Sequence, residues 1–361
     1  MIETVWWRQV PNPQRLIRII SEYLLREESV ILQVPAFVPW CEILYEELEE
    51  KIQAQNAQRS VRTFTADDVG DNLGAWLLEN YCKPELRARF RPGGKNGGYA
   101  AYLASAEGST LRDVYLVVRD VTPKQAEIWR RFLSDYRKAL RGRDGIVCLI
   151  ETKAAPERAV KGIRDVRYED IVTPYDAFVF YLLLVDSAAV ESYQRQYLAE
   201  LAANLFGVDV EFGAACVREG KRFLDDPGSV LKIVAETQYR SDGQPFTTAD
   251  LDQAAVQNAV WMTQVKMAFP LLERRRSKLL ACHRTEIASR LPLTNNYGEE
   301  VTDYHEVEFG MLYHLNDIGE LHLTQAEAAE LYECREARNR LAHMKTLDFD
   351  AMNHLLAKYG E

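Results

Sequence analysis

The residues of this chain best suited to chemistry stand near its end, in the run ARNRLAH, where Arg338, Asn339 and His343 spell R-N-x-x-x-H. Histidine is the side chain whose ordinary pKa lies close enough to neutrality to take up and return a proton. Arginine carries a permanent charge in a planar fork that fits the oxygens of a phosphate. The pair supplies what metal-free cleavage of RNA by its own 2'-hydroxyl requires: a base or acid for that hydroxyl, and a cation for the charge that builds up at phosphorus. All six histidines lie between His283 and His354, so the last quarter of the chain is where such chemistry would sit.

A helix must carry these residues. Thr324 and Glu327 form a T-x-x-E capping box at the head of LTQAEAAELYECREARNRLAHM, and Leu331, Cys334, Ala337 and Leu341 give it an apolar face. At about 100° per residue, Asn339 and His343 share a face while Arg338 lies about 140° from His343. Arg338 must then reach round on its long stem or act across a seam between two copies. A purely structural role fits the same residues: a polar cluster tying helices together, with His343 on the carbonyls of the last turn. Upstream, EVEFGMLYHL offers Glu306 and Glu308, either of which could orient His343; Glu308 also suits an ion pair with Arg338.

The R-N-x-x-x-H run resembles the R-x(4–6)-H signature of HEPN domains, helical bundles that include metal-independent ribonucleases and many non-catalytic relatives. The four residues between Arg338 and His343 and the polar Asn339 after the arginine match it. The resemblance implies His343 as general acid and base, Arg338 as transition-state cation, Asn339 as orienting group, an accompanying acid such as Glu308, and a homodimer whose two motifs face each other over RNA. It also admits a catalytically dead relative.

A second pattern stands near the start, in VILQVPAFVPWCEIL from Val30 to Leu44: an apolar run, a turn, then a helical pattern. That is the frame of the phosphate-cradling G-x-x-x-x-G-K-[ST], but Val34, Pro39, Trp40 and Cys41 stand at its four defining positions. The loop therefore lacks the glycines that let backbone N–H groups approach phosphate, the lysine and the hydroxyl for magnesium, and its prolines remove two donors. Further apolar strands are expected at Tyr115–Val118, running into Arg119 and Asp120, and at Ile146–Glu151, ending in Glu151 and Thr152. Strands alternating with the helices LIRIISEYLL, WCEILYEELEEKIQAQ and KQAEIWRRFLSDYRKAL make a parallel sheet covered on both faces. Over residues 15–170 this order resembles the core of an AAA+ or STAND-type P-loop ATPase with its phosphate loop lost, and implies no ATP hydrolysis. Asp120, where a Walker B acid would stand, then reads as a strand-end residue facing solvent or capping the next helix.

Between these strands, Arg87–Thr110 reads as a long polar, glycine-rich surface loop whose Arg87, Arg89, Arg91 and Lys95 could touch a phosphate. After Tyr175 the pattern becomes helical: one long segment to Phe206, another from Asp250 to Leu291 with Pro270 expected to kink or restart it, then two shorter helices. ERRRSK, from Glu273 to Lys278, reads as a solvated helix face or a phosphate-contacting patch, and VWMTQVKMAF as a core helix. The expected fold class is α/β followed by all-α, with domains at 1–174 and 175–361.

With a net charge of −10 and 47% apolar residues, the chain can bury a large core but cannot be a general nucleic-acid-binding surface, so any RNA contact must be local. Its six cysteines show no C-x-x-C pair, which argues against a disulfide framework or zinc site and for the cytoplasm. No metal, cofactor or membrane span is expected, since the longest apolar run, Ala177–Val185, is short and the first residues do not resemble an export signal. By analogy of architecture, the pairing looks like a component of bacterial conflict or anti-phage systems: a pseudo-NTPase sensor or scaffold joined to a HEPN-like RNA-cleaving unit. The alternative is a dead adaptor that dimerises and docks a protein partner of the same system.

Overall fold

The computed structural model describes residues 2–91, 98–107, 109–153, 160–186, 188–295 and 298–360. The chain divides into two compact units, Met1–Phe180 and Tyr181–Glu361.

In the first unit α1 (Ile2–Gln9) and α2 (Pro11–Leu25) precede β1 (Ser29–Gln33), which leads into α3 (Cys41–Gln55) and β2 (Ser60–Thr65). Four short helices follow, α4 (Ala66–Val69), α5 (Leu73–Tyr81), α6 (Pro84–Arg89) and α7 (Tyr99–Ser105). Then come β3 (Val114–Val121), α8 (Pro123–Leu140), β4 (Val147–Thr152) and β5 (Ile163–Arg167). The sheet is parallel throughout, in the order β2-β3-β4-β1-β5. Its three central strands are the expected apolar runs; β2 and β5, the edges, were not anticipated.

The pleat divides the core in two. Ile31, Leu116, Val118, Cys148 and Ile150 pack with Trp129, Leu133 and Tyr136 of α8. The alternate residues Val30, Leu32, Val117 and Leu149 are equally buried and face the other side, where α2 packs on β1 and β4 and against α3. Right-handed crossovers explain the split: the chain leaves β1 towards one edge of the sheet and returns through β3 and β4 in the opposite direction. The connections therefore diverge between the carboxyl ends of β1 and β4, the place where open α/β sheets bind ligands.

Part of the predicted polar loop over Arg87–Thr110 is helix. Arg87 and Arg89 end α6, and α7 inserts Tyr102 and Leu103 into the core. Lys95 lies outside the described residues.

α9 (Pro174–Val185) crosses the division between the units. The second unit contains α10 (Ser192–Phe206), α11 (Val210–Val217), α12 (Lys221–Asp225), α13 (Pro227–Thr237), α14 (Gln253–Cys282) and α15 (Arg284–Ala288). A two-stranded antiparallel ribbon, β6 (Leu293–Thr294) with β7 (Glu300–Val301), precedes α16 (Phe309–Asp317), α17 (Gln325–Ala342) and α18 (Phe349–Tyr359). The expectations of one helix from Tyr175 to Phe206 and of two C-terminal helices are thus corrected: Glu191 and Gln194 form a new capping box at α10, and three helices close the chain. Pro270 neither ends nor restarts α14, which continues through it with Ala268, Leu271 and Leu272 buried on both sides. The segment VWMTQVKMAF is only partly core. Thr263, Gln264 and Ala268 are buried, whereas Trp261, Met267 and Phe269 are half-buried and Met262 is exposed.

Candidate functional site

α17 is built to hold its C-terminal end in place. Thr324 and Glu327 close the predicted capping box at its start, and these bonds, with His283, hold the Glu327 carboxyl down to about 2. At the other end α14 clamps it: the Trp261 indole N–H donates to the Leu341 carbonyl at 2.8 Å. The buried Gln264 amide exchanges bonds of 2.9 and 2.8 Å with the backbone of Leu347, just beyond the helix. His343 is the C-cap. Met344 follows in the left-handed region, φ 56°, while its N–H reaches the Leu341 carbonyl and that of Lys345 the Arg340 carbonyl. This is a Schellman ending with methionine where glycine is usual.

Arg338 and Asn339 face a cleft of about 520 Å³ between α17, α16 and the β6–β7 ribbon, together with Glu300, Glu308, His314 and Arg335. The Arg338 guanidinium meets Glu308 at 3.4 Å, with both side chains part-exposed, so the ion-pair reading of Glu308 describes its contact. Glu308 itself is placed by Arg276 of α14, which donates to the carbonyls of His305 and Val307. Glu306, the other candidate acid, sits in a short 3-10 turn, Tyr304–Glu306, and also lines the cleft.

His343 does not line that cleft. Its imidazole is exposed and makes no hydrogen bond or ion pair among the described residues; only its backbone N–H is used, on the Asn339 and Arg340 carbonyls. The histidine that does line the cleft is His314 of α16, which sequence reading did not single out. Its one legible signal was its position in the same EVEFGMLYHL segment as Glu308. The ERRRSK run is largely committed to structure, with Arg275 paired to Glu330 and lying over the Tyr359 ring, and Arg276 also on Glu273.

The first unit has its own polar cluster where the carboxyl ends of β1 and β4 diverge. Glu151, the last residue but one of β4, is buried and accepts a hydrogen bond from the Tyr45 hydroxyl of α3. Arg119 of β3 lies over the Tyr45 ring at 4.7 Å, approaches Glu151 at 4.0 Å, pairs with Glu42 at 2.7 Å and reaches the Cys41 sulfur at 3.6 Å. Burial raises the Glu151 carboxyl above its ordinary value, against the pull of Tyr45 and Arg119. Burial, and then Glu151, push the Cys41 thiol up to about 12.

The loop between β1 and α3 is fastened down rather than open. The Trp7 indole N–H donates to the carbonyls of Pro39 (3.0 Å) and Trp40 (3.1 Å), and Trp40, left-handed at φ 44°, packs its ring on Phe180. Asp120 is also left-handed, φ 56°, at the irregularity in β3, and is exposed. The cap of α8 is Thr122 with Gln125, so Asp120 has the solvent-facing role, not the capping one. At this spot the protein supplies its own cation, ring and carboxylates, and Glu42 in the first turn of α3 opposes any phosphate there.

No helix is long and apolar enough to cross a membrane among the described residues. No protein-family model matches the chain, and no curated protein matches it.

Proposed function

We propose that this chain is an NTPase-like scaffold that does not hydrolyse nucleotide, joined to a HEPN-like helical unit that cleaves single-stranded RNA without a metal. In this reading it serves a bacterial conflict or anti-phage system, an assignment made by analogy of architecture. His343 takes the proton of a ribose 2'-hydroxyl, whose oxygen attacks the adjacent phosphorus. The bond from phosphorus to the 5'-oxygen breaks, and that oxygen leaves with the proton that the His343 imidazolium gives back, giving a 2',3'-cyclic phosphate and a 5'-hydroxyl. Arg338 neutralises the charge on the phosphoryl oxygens, Asn339 orients them and Glu308 holds Arg338 until substrate arrives.

One observation carries the reading: Arg338 and Asn339 face an open cleft, while His343 is exposed and uncommitted at the end of the same helix. Because the two side chains leave the helix about 140° apart, the site is completed by a second copy, whose histidine meets this copy's arginine. The self-filled cluster around Glu151 supports the absence of nucleotide hydrolysis in the first unit.

The adaptor reading is favoured by a different observation. Arg338 already has its carboxylate in Glu308, and His343 lies outside the cleft that holds Arg338. Incubation of the protein with mixed RNA in EDTA separates the two. The nuclease reading expects products ending in 2',3'-cyclic phosphate that are lost in His343→Ala; absence of such products with the parent chain supports the adaptor.

A further inference from the structure

We infer that a second cleft, between the first half of α14 and the end of α17, binds a single-stranded RNA segment with one nucleotide against Trp261. Its ligand class rests on the RNA reading above, but its geometry stands apart from the Arg338 cleft. The cavity measures about 430 Å³ and includes Gln257, Asn258 and Trp261 of α14 with Arg340, Met344 and Lys345 at the end of α17. Its size falls in the range of small-ligand sites.

Charge is the first argument. The other arginines of this stretch of α17 are matched, Arg335 with Glu336 and Arg338 with Glu308. Arg340 donates only to the Thr346 carbonyl, and neither it nor Lys345 has an ion pair among the described residues. No carboxylate lines the cleft among the described residues. In a chain of net charge −10, two uncompensated cations beside one cavity are a local basic site of the kind that phosphate oxygens fill.

Shape and chemistry supply the second. The Trp261 N–H is spent on the Leu341 carbonyl, so its ring offers the cleft only carbon, a platform for stacking a base. Met344, 67% exposed and held out by its left-handed backbone, gives a second apolar surface. The exposed amides of Gln257 and Asn258 can donate to and accept from the edge of a base that no partner strand occupies. His343 lies between Arg340 and Met344 in sequence but is not one of the residues that line this cleft.

The test is fluorescence anisotropy with a short labelled 2'-O-methyl RNA strand, which cannot be cleaved through its 2'-oxygen, in EDTA at low salt. The parent chain is expected to bind it. Lys345→Glu and Arg340→Glu should each weaken binding by about tenfold or more, and each should reduce the slope of log affinity against log salt by about 0.7. Lys232→Glu, the same charge change on α13 outside the cleft, should leave affinity within about twofold. No binding by the parent, equal affinity in the cleft variants, or equal competition by duplex RNA would overturn the proposal. Binding with this pattern by a chain that leaves natural RNA intact would retain the cleft and remove the nuclease reading.

Discussion

Glu151 is a carboxylate on a strand whose every residue is buried, and its neighbours were not legible in the sequence. Tyr45 stands 106 residues away, and only the crossover from β1 to α3 brings it to the end of β4. The strand-end position of Glu151 and Thr152 was readable; that a ring and a guanidinium occupy the space around them was not. Because burial raises the folded-state pKa of Glu151, folding favours its protonated form. Its contribution to stability is complete below the ordinary value of the unfolded chain and is lost as pH rises through the raised folded value. Glu151→Gln keeps an acceptor for Tyr45 and does not ionise. Urea unfolding over a pH series should therefore show the parent losing stability relative to Glu151→Gln as pH rises through that window. A constant difference between the two would contradict the account.

At the scale of elements, α17 shows what a sequence can and cannot disclose. Its capping box, its apolar stripe of Leu331, Cys334, Ala337 and Leu341, and its arrival at His343 follow from residue types and a period of 3.6. Its ending does not, because nothing in AHMK announces a left-handed residue where glycine is usual. A left-handed residue with a side chain costs about 1–2 kcal/mol, so Met344→Gly should stabilise the second unit by about 1 kcal/mol, measured by urea denaturation. A loss of stability would mean that Met344 contributes more by packing than its backbone costs. The edge strands β2 and β5 escaped for a related reason. They are substantially exposed, with no apolar run, whereas the central strands are apolar because helices cover both their faces. The short helices α6 and α7 were hidden by glycines and arginines around them, and the few apolar residues they bury, Tyr102, Leu103 and Ala104, form no extended periodic pattern.

At the scale of the whole molecule, an α/β unit with a parallel five-stranded sheet is joined to a helical unit, and the places suited to chemistry or binding differ between them. In the first, the divergence of the loops after β1 and β4 is filled by the chain's own Arg119, Tyr45 and Glu151. In the second, Arg338 and His343 both reach solvent but from different sides of one helix. A net charge of −10 restricts nucleic-acid contact to such local sites. The fold class could be read from patterning because apolar runs and helical periods are local. The angle between Arg338 and His343 could be read the same way, but the cleft that Arg338 shares with Glu300 and His314 could not, because segments distant in the chain build it.

The central claim is that a shared site built from two copies cuts RNA, and mixing two dead variants tests it most directly. Arg338→Ala and His343→Ala should each be inactive alone in EDTA. After unfolding and refolding together, half the dimers are mixed, and each mixed dimer has one intact pairing of His343 from one copy with Arg338 from the other. The mixture should therefore recover about a quarter of the parent activity. A parent chain that cleaves RNA while the refolded mixture stays as inactive as either variant would contradict the shared site, and a parent chain that yields no 2',3'-cyclic phosphate would contradict the nuclease itself.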